Sequence, residues 1–283
     1  MNNLSDIGQI KDLLLRHGFT FSKSLGQNFL INPHVCPKMA ELSGIDKNAG
    51  VIEIGSGIGV LTTELASRAK KVVSIEIDKR LMVILNETLS DCPNVQVINA
   101  DIMKLNLHDL IAEHFKGMKV YVCANLPYYI TSPVIMLLLE SRLPIESITI
   151  MVQKEAGDRL CAAVGSRESG AVTVAVNYYA KVSKLFSVSK GSFMPSPKVD
   201  SQVIKLEMRK EPPVKISDEA KFFKVVKSAF AQRRKTVQNA VSSGMAIPKP
   251  EVEKALKKSG LDPKVRAEML NMEQLAELCE NLG

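Results

Sequence analysis

The chain has 283 residues, of which 46% are hydrophobic and 24% are charged, and its net charge is +7. This balance excludes a largely disordered protein, and the length predicts two domains because a single core stops growing efficiently at roughly 250 residues. The apolar runs are shorter than the ~20 residues that a membrane span needs, which argues against a membrane protein.

Cysteine and histidine usage gives no sign of cross-links or metal ligands. The five cysteines form no CxxC pair and the four histidines have no ligand spacing, so we expect neither disulfides nor a metal. The N-terminus lacks a signal-peptide pattern, and we expect a cytoplasmic protein. We also expect a monomer.

Strand-like and helix-like patterns alternate through the first half of the chain. Runs of β-branched residues predict strands, and the amphipathic stretches between them predict helices. This rhythm is typical of a parallel sheet built from βαβ units. The predicted strands are 51–54, 72–75, 95–98, 119–124 and 147–152, and the predicted helices are 60–68, 79–89 and 133–141.

Three further strand-like runs follow without helices between them, at 171–178, 181–188 and 201–207. We interpret them as antiparallel additions, which gives an α/β fold with a mixed, mainly parallel, Rossmann-like sheet. Beyond the prolines of KEPPV only helical patterns remain. We therefore predict a first domain over 1–207 and a small all-α domain over 208–283.

A glycine loop follows the first predicted strand. The segment VIEIGSGIGVLT places Gly55, Gly57 and Gly59 before a helix, where glycine allows a ligand to approach the backbone closely. A dinucleotide-binding loop would have its third glycine at the position of Val60, so a pyrophosphate ligand is disfavoured. A chance glycine-rich turn is the alternative.

Two acidic residues end the next two predicted strands. Glu76 can accept hydrogen bonds from both hydroxyls of a ribose, and Asp101 can accept one from an adenine amino group. With the glycine loop they describe an adenosine pocket at the carboxyl edge of the sheet, and S-adenosylmethionine fits it better than a dinucleotide. Asp78, in the turn after Glu76, is interpreted as a helix N-cap.

The segment ANLPYYITSPV follows the fourth predicted strand and should face the same pocket. An adenine amino group is a poor nucleophile, and acceptors for its hydrogens help the nitrogen become tetrahedral. The side-chain oxygen of Asn125 and the carbonyl of Leu126 can be these acceptors, with the turn held by Pro127 and a base stacked on Tyr128. An Asx-type turn is the alternative, but it does not explain the tyrosine pair.

With these residues in view, the chain resembles the ribosomal RNA adenine N6-dimethyltransferase family nearly from end to end. The motifs that carry the resemblance are, in chain order, KSLGQNFL (23–30), VIEIGSGIGVLT (51–62), VVSIEID (72–78), NAD (99–101), NLPYYITSP (125–133), MVQKE (151–155), FMPSPKVDS (193–201) and AFAQRRKT (229–236). One departure is Gly157, which stands where helix-favouring residues are usual.

The resemblance implies a class I methyltransferase domain that uses S-adenosylmethionine. It implies that Tyr128 and Phe193 bracket the target adenine, although Phe193 taken alone is interpreted as a core residue rather than a catalytic one. It also implies cofactor contacts from Gln27, Asn28, Leu30, Gly55, Gly57, Glu76, Ile77, Asp101, Ile102 and Asn125.

Within the family, KSLGQNFL, Leu126 and QRRKT resemble the branch that dimethylates two adjacent adenosines in the 3′-terminal hairpin loop of small-subunit (16S) RNA during ribosome biogenesis. An antibiotic-resistance branch that modifies large-subunit RNA is the alternative. Two other functions stay open. One is a binding module that acts by occupying an immature subunit, and the other is an NAD-dependent oxidoreductase, which Val60 disfavours.

The most basic stretch of the chain lies in the second predicted domain. Residues 208–283 hold 15 basic and 10 acidic residues, and the stretch 221–235 has six basic residues and no acidic one. Since a solvated helix face normally mixes signs, we predict contact with the RNA backbone, with an ordinary solvated face as the alternative. The predicted RNA-binding residues are Lys221, Lys224, Lys227, Arg233, Arg234 and Lys235.

Overall fold

The computed structural model of the protein describes residues 4, 6–22 and 25–283. The first two residues of the KSLGQNFL motif, 23 and 24, therefore lie outside the described part. The chain divides into two compact units, Met1–Gly157 with Ser183–Met208, and Asp158–Val182 with Arg209–Gly283. The boundary near Met208 is where the sequence interpretation put it, but Asp158–Val182 belongs with the C-terminal unit rather than with the first.

The bounds of the strands and helices are as follows. The strands are β1 Phe29–Leu30, β2 Gly50–Ile54, β3 Lys71–Glu76, β4 Val95–Asn99, β5 Val120–Asn125, β6 Ile145–Gln153, β7 Ala180–Val188, β8 Phe193–Met194 and β9 Ser201–Met208. The helices are α1 Ile7–Arg16, α2 Val35–Leu42, α3 Val60–Arg68, α4 Leu81–Thr88, α5 Leu107–His114, α6 Thr131–Glu140, α7 Lys154–Leu160, α8 Ala171–Tyr179, α9 Glu219–Phe230, α10 Val237–Met245, α11 Lys249–Lys258 and α12 Met272–Asn281.

Within the described residues, seven strands form one sheet in the order β4-β3-β2-β5-β6-β9-β7. The neighbours from β4 to β6 are parallel, and β9 is antiparallel to β6. The prediction of a mixed, mainly parallel sheet is confirmed. The chain proceeds from β2 to β3 and β4 on one side and then returns to add β5 on the other. A ligand site is expected at such a switch point, outside the carboxyl ends of the strands.

The central strands are buried on both faces, which explains their continuous apolar sequence. All five residues of β2 are buried, including Glu53, and the backbone of Ile54 pairs with Ile75 and with Ala124. This register brings the ends of β2, β3 and β5 side by side, with the Gly55 amide bonded to the Ile75 carbonyl at 2.9 Å. The residues that follow these strands therefore meet at one edge.

The N-terminal helix α1 packs on α4. Asp6 caps α1 by accepting a hydrogen bond from the Gln9 amide at 2.9 Å, and this stabilises the first turn. The apolar stripe of α1 joins a cluster with residues of α4 and with Phe29, so burial of these side chains attaches the N-terminal segment to the sheet domain. The members from the two helices are Ile10, Leu13, Leu14, Leu81, Ile84 and Leu85.

The prediction of a strand over 171–178 is wrong, because these residues form helix α8. Most of them are buried, and Thr173 closes the first turn by accepting a hydrogen bond from the Gly170 amide at 3.0 Å. A helix that is apolar nearly all round shows no 3.6-residue period, and a short β-branched run of this kind cannot be told from a strand by pattern. Tertiary burial here overrides the local preference of valine.

The second unit is mainly helical, as predicted for the C-terminal region. Helix α9 buries Phe222, Val225, Val226 and Ala229, and the ring of Phe223 stacks on Tyr179 with centroids 5.3 Å apart. No helix among the described residues has the length and apolar character needed to cross a membrane.

The departure from the family pattern at Gly157 has a packing reason. A Cβ at this position in α7 would lie 2.9 Å from Cβ of Gln202 in β9 and 3.3 Å from Cγ2 of Val152 in β6. Real Cβ atoms are rarely so close, so any larger residue would push α7 away from the sheet.

Candidate functional site

The glycine loop after β2 follows a backbone path that requires glycine. Gly55 and Gly57 have φ angles of 82° and 57°, in the left-handed region that side chains with a Cβ rarely adopt. The Gly57 amide donates to Oε2 of Glu76 at 3.0 Å. The loop is thereby tied to the acid at the end of β3.

Glu76 is 6% exposed and forms part of a cavity wall. Its Oε2 accepts from Gly57, and its Oε1 accepts from the Asp78 amide at 2.9 Å. Burial raises the pKa of Glu76, while these backbone hydrogen bonds oppose the rise. Each carboxylate oxygen has a second acceptor position, so Glu76 is suited to accept the two hydroxyls of a ribose.

Asp101 lies beyond β4 at the same edge. Its Oδ1 accepts from the Met103 amide at 3.0 Å, and its Oδ2 is 3.8 Å from Lys104 Nζ, with the side chain 30% exposed. Two apolar side chains near it, Ile77 and Met103, are 52% and 44% exposed. Exposed apolar surface beside a carboxylate whose Oδ2 accepts no hydrogen bond from the described residues suits the faces and the amino edge of an adenine base.

These residues surround one cavity of about 290 Å³. All ten residues predicted to contact the cofactor line it, from five separate parts of the chain, and so do three of the predicted catalytic residues, Asn125, Leu126 and Pro127. The sequence interpretation missed other lining residues. Met103 and Tyr129 are the most informative of these because both are exposed.

The turn after β5 carries the polar groups expected for catalysis. Within the described part of the chain, the side-chain amide of Asn125 makes no hydrogen bond, so it is available to a ligand. The Pro127 carbonyl accepts from the Ile130 amide at 3.1 Å and starts the short helix Tyr128–Ile130. The turn is thus closed behind Asn125 while Asn125 faces the cavity.

Tyr128 is half-buried and held by its hydroxyl. Its phenol oxygen is 2.8 Å from Oγ of Ser201, and Ser201 is fully buried as the first residue of β9. Burial raises the pKa of Tyr128, which therefore stays a neutral phenol at physiological pH. Ser201 was not singled out from the sequence, because its partner is 73 residues away.

Phe193 lies in the core rather than in the cavity wall. It is 4% exposed, packs in a cluster with Leu30 and Met39, and its backbone pairs with Leu30 across β1 and β8. The pairing of these two short strands directs Phe193 inward. The alternative that the sequence left open, a core role, describes its position, and its role against the adenine stays a prediction.

Glu53, inside β2, is a buried acid that the sequence analysis passed over. Its Oε2 accepts from Thr62 at 2.6 Å and from Ser74 at 2.5 Å, and Ser74 is 2.6 Å from the Ser56 hydroxyl in the glycine loop. Burial raises the pKa of Glu53 to about 7. This chain of hydroxyls connects a buried proton site to the loop that lines the cavity.

The predicted RNA-binding residues occupy α9 and the segment that follows it. Lys224, Lys227, Arg233, Arg234 and Lys235 are exposed. Lys221 is half-buried and donates a hydrogen bond to the carbonyl of Leu282, so its charge is directed at the C-terminal segment of the second unit. Among the described residues, no group of three or more His, Cys, Asp or Glu is placed as metal ligands.

The parallel sheet, the glycine loop and the acids at successive strand ends define a Rossmann-like methyltransferase fold with a nucleoside-shaped cavity. A family model described as "Ribosomal RNA adenine dimethylase" matches residues 18–282. The chain belongs to this family.

Known proteins resemble the chain over nearly its whole length. "Ribosomal RNA small subunit methyltransferase A" of Geobacillus thermodenitrificans is 48% identical over 279 residues, which is 97% of this chain and 95% of the relative. The crystal structure of a dimethyladenosine transferase from Plasmodium falciparum has a TM-score of 0.71 at 25% identity, covering 88% of this chain and 95% of that one. The 23S rRNA methyltransferase ErmE has a TM-score of 0.67 at 29% identity, covering 90% and 99%.

Proposed function

We propose that the protein transfers methyl groups from S-adenosylmethionine to N6 of two adjacent adenosines in the 3′-terminal hairpin loop of small-subunit (16S) ribosomal RNA. The observation that carries this proposal is the meeting of Asn125 with Glu76 and Asp101 around one cavity. The name of the relative that is 48% identical supports the small subunit as substrate. The proposal places the protein in the cytoplasm, acting as a monomer on immature small subunits.

The residues of the cavity fit the cofactor. Glu76 would hold the ribose, Asp101 the adenine amino group, and Ile77 and Met103 the faces of the base. Bound there, the cofactor would supply a sulfonium methyl group that is already activated, so the protein's task is to bind and orient both reactants.

The catalytic turn would prepare the target nitrogen. The Asn125 side-chain oxygen and the Leu126 carbonyl would accept the two amino hydrogens, which keeps the nitrogen lone pair out of the ring and directs it to the methyl carbon. Tyr128, anchored on Ser201, would hold the base by stacking, an interaction worth on the order of 1–3 kcal/mol. Since an unpaired loop base leaves its stack at little cost, a hairpin loop is a suitable substrate.

A large-subunit RNA methyltransferase is the second candidate, and it is supported by the similarity to the 23S rRNA methyltransferase ErmE over 90% of this chain. The two candidates share the cofactor site and differ in the RNA. The fold therefore supports both equally, and the relatives' names favour the first.

The deciding experiment is to incubate the protein and labelled S-adenosylmethionine with undermethylated small subunits and, separately, with large-subunit RNA. Labelled bases are then mapped. We expect dimethylated adenosines near the 3′ end of the small-subunit RNA. Label confined to large-subunit RNA would establish the second candidate instead, and absence of label from both would reject the proposal.

A further inference from the structure

Asp78 joins two groups of hydrogen bonds at the edge of the cavity. Its side chain is 5% exposed. Its Oδ2 accepts a hydrogen bond from Nε2 of Gln27 at 2.7 Å. Arg80 donates to both carboxylate oxygens, from Nε to Oδ1 at 2.9 Å and from Nη2 to Oδ2 at 2.6 Å. Because its amide also donates to Glu76, Asp78 connects the end of β3 to the segment before β1.

Both polar atoms of the Gln27 amide are bonded within the protein. Nε2 donates to Asp78, and Oε1 accepts from the Ser22 amide at 2.9 Å. The resemblance implied that Gln27 contacts the cofactor, and the residue does line the cavity. Its hydrogen bonds, however, are made with the chain, so Gln27 holds the segment that forms one wall.

Arg80 adds a second connection to the same segment. Its Nη1 donates to the Thr20 carbonyl at 3.2 Å, and its guanidinium lies 5.0 Å from the ring centroid of Phe19. The ring centroids of Phe19 and Phe29 are 5.9 Å apart. Phe29 lines the cavity, and its ring would lie 3.5 Å from a Cβ on Gly57. Asp78 and Arg80 together attach the cavity wall to the turn after β3.

The interpretation of Asp78 as a helix N-cap does not agree with the structure. Helix α4 begins at Leu81, and Arg80 is at its N-cap position without a side-chain cap bond. Asp78 instead accepts from the Arg80 amide at 3.0 Å in a local turn. Its hydrogen bonds to Arg80 lower the pKa of Asp78, so the carboxylate is charged at neutral pH.

We propose that Asp78 is a positioning residue for cofactor binding, which acts by holding Gln27 and through it the wall formed by Gln27–Leu30. This inference rests on the proposed function, since it takes S-adenosylmethionine as the ligand. A wall already in place spares the cofactor the entropy cost of ordering it. Asp78 therefore contributes to affinity without touching the ligand.

The test is Asp78→Asn, which keeps the shape but places an amide donor against the donors of Gln27 and Arg80. We expect S-adenosylmethionine and S-adenosylhomocysteine to bind about 10- to 100-fold more weakly by calorimetry, the loss typical of a hydrogen bond to a charged group. We expect KM for the cofactor to rise while kcat at saturation changes little. Gln27→Ala should give the same loss, and the double variant should be no weaker than either single variant.

Glu87→Gln is the matched control. Glu87 also holds the N-terminal segment, through Arg16 at 2.7 Å and His17 at 2.6 Å, but unlike Gln27 neither of these two partners lines the cavity. We expect this variant to keep its cofactor affinity. Unchanged affinity in both Asp78→Asn and Gln27→Ala, or an equal loss in Glu87→Gln, would overturn the inference. Failure of the unmodified protein to bind the cofactor would reject the proposed function together with it.

Discussion

At the scale of single residues, the proposed methyl transfer depends on the side-chain amide of Asn125. We expect Asn125→Ala to abolish methyl transfer while the protein stays folded, because the target nitrogen loses an acceptor for its hydrogens. Transfer of labelled methyl groups to undermethylated small subunits measures this.

Asn106→Ala is a suitable control for Asn125→Ala. Asn106 caps α5 and does not line the cavity, so its loss should cost about 1 kcal/mol of stability and leave transfer intact. Near-normal activity in Asn125→Ala would contradict the assigned role. If the inactive variant still supports subunit assembly in cells, the binding role left open by the sequence gains support.

The hydroxyl of Ser201 should matter because it holds the ring of Tyr128. In Ser201→Ala the hydroxyl of Tyr128 loses its hydrogen-bond partner. We expect kcat/KM for RNA to fall about 5- to 30-fold, equivalent to about 1–2 kcal/mol. Tyr128→Phe should show a similar loss, and the double variant should be little worse than either.

Ser43→Ala tests whether any buried serine has this effect. Ser43 is buried and donates to the Ala40 carbonyl at 2.6 Å, and it does not line the cavity. An equal loss of kcat/KM in this variant, or additive losses at Tyr128 and Ser201, would contradict the positioning role of Ser201.

The residue-level site could be predicted where function coincides with a strand end. The sequence put Glu76, Asp101 and Asn125 at one edge because parallel strands end together, and all three line the same cavity, while their roles stay predictions. Ser201, the Asp78 network and Met103 depend on contacts distant in sequence or on exposure, which no local pattern encodes. The inward position of Phe193 follows from the pairing of β1 with β8, two strands too short to recognise in a sequence.

At the scale of elements, β2 carries a titrating group beneath the glycine loop. Burial raises the pKa of Glu53 from 4.5 to about 7, so the folded protein holds a proton that the unfolded chain releases. The stability from this group is complete below pH 4.5 and is lost as pH rises through 7, amounting to roughly 3 kcal/mol.

Glu53→Gln removes this titration while keeping the size of the side chain. We expect the difference in free energy of unfolding, variant minus unmodified protein, to rise by roughly 3 kcal/mol from pH 4.5 to pH 8. Urea denaturation at several pH values measures this difference. Parallel curves for the two proteins would contradict the assignment.

Element prediction succeeded where the period was clear and failed where burial hid it. The strands β2 to β6 were all predicted within two residues at their ends. Helix α8 was mistaken for a strand because it is buried nearly all round. Helix α1 was not predicted, although its stripe of Ile10, Leu13 and Leu14 has helical spacing.

At the scale of the molecule, the second unit carries a cluster of exposed positive charge on and after α9. We expect the double charge reversal Lys224→Glu and Lys227→Glu to weaken RNA binding and to make the plot of log affinity against log salt shallower by about 1.5, because two phosphate contacts are lost. Filter binding over a range of salt concentrations measures both quantities.

Lys254→Glu with Lys258→Glu is the control, since these exposed lysines lie on α11 in the same unit and the change in net charge is equal. It should leave the salt slope unchanged. Equal effects of the two double variants would mean that only total charge matters. The boundary near Met208 was predictable from prolines and charge, whereas the membership of Asp158–Val182 in this unit depends on tertiary packing.

The contact of Gly26 with the catalytic turn has a kinetic consequence. A Cβ on Gly26 would lie 3.5 Å from Pro127 and from the ring of Tyr129, so the wall that binds the cofactor lies against the turn that receives the base. We therefore expect compulsory-order turnover in which methyl donor precedes RNA. The spent donor, S-adenosylhomocysteine, should then inhibit competitively against S-adenosylmethionine and non-competitively against RNA, and a random-order pattern would contradict the expected order.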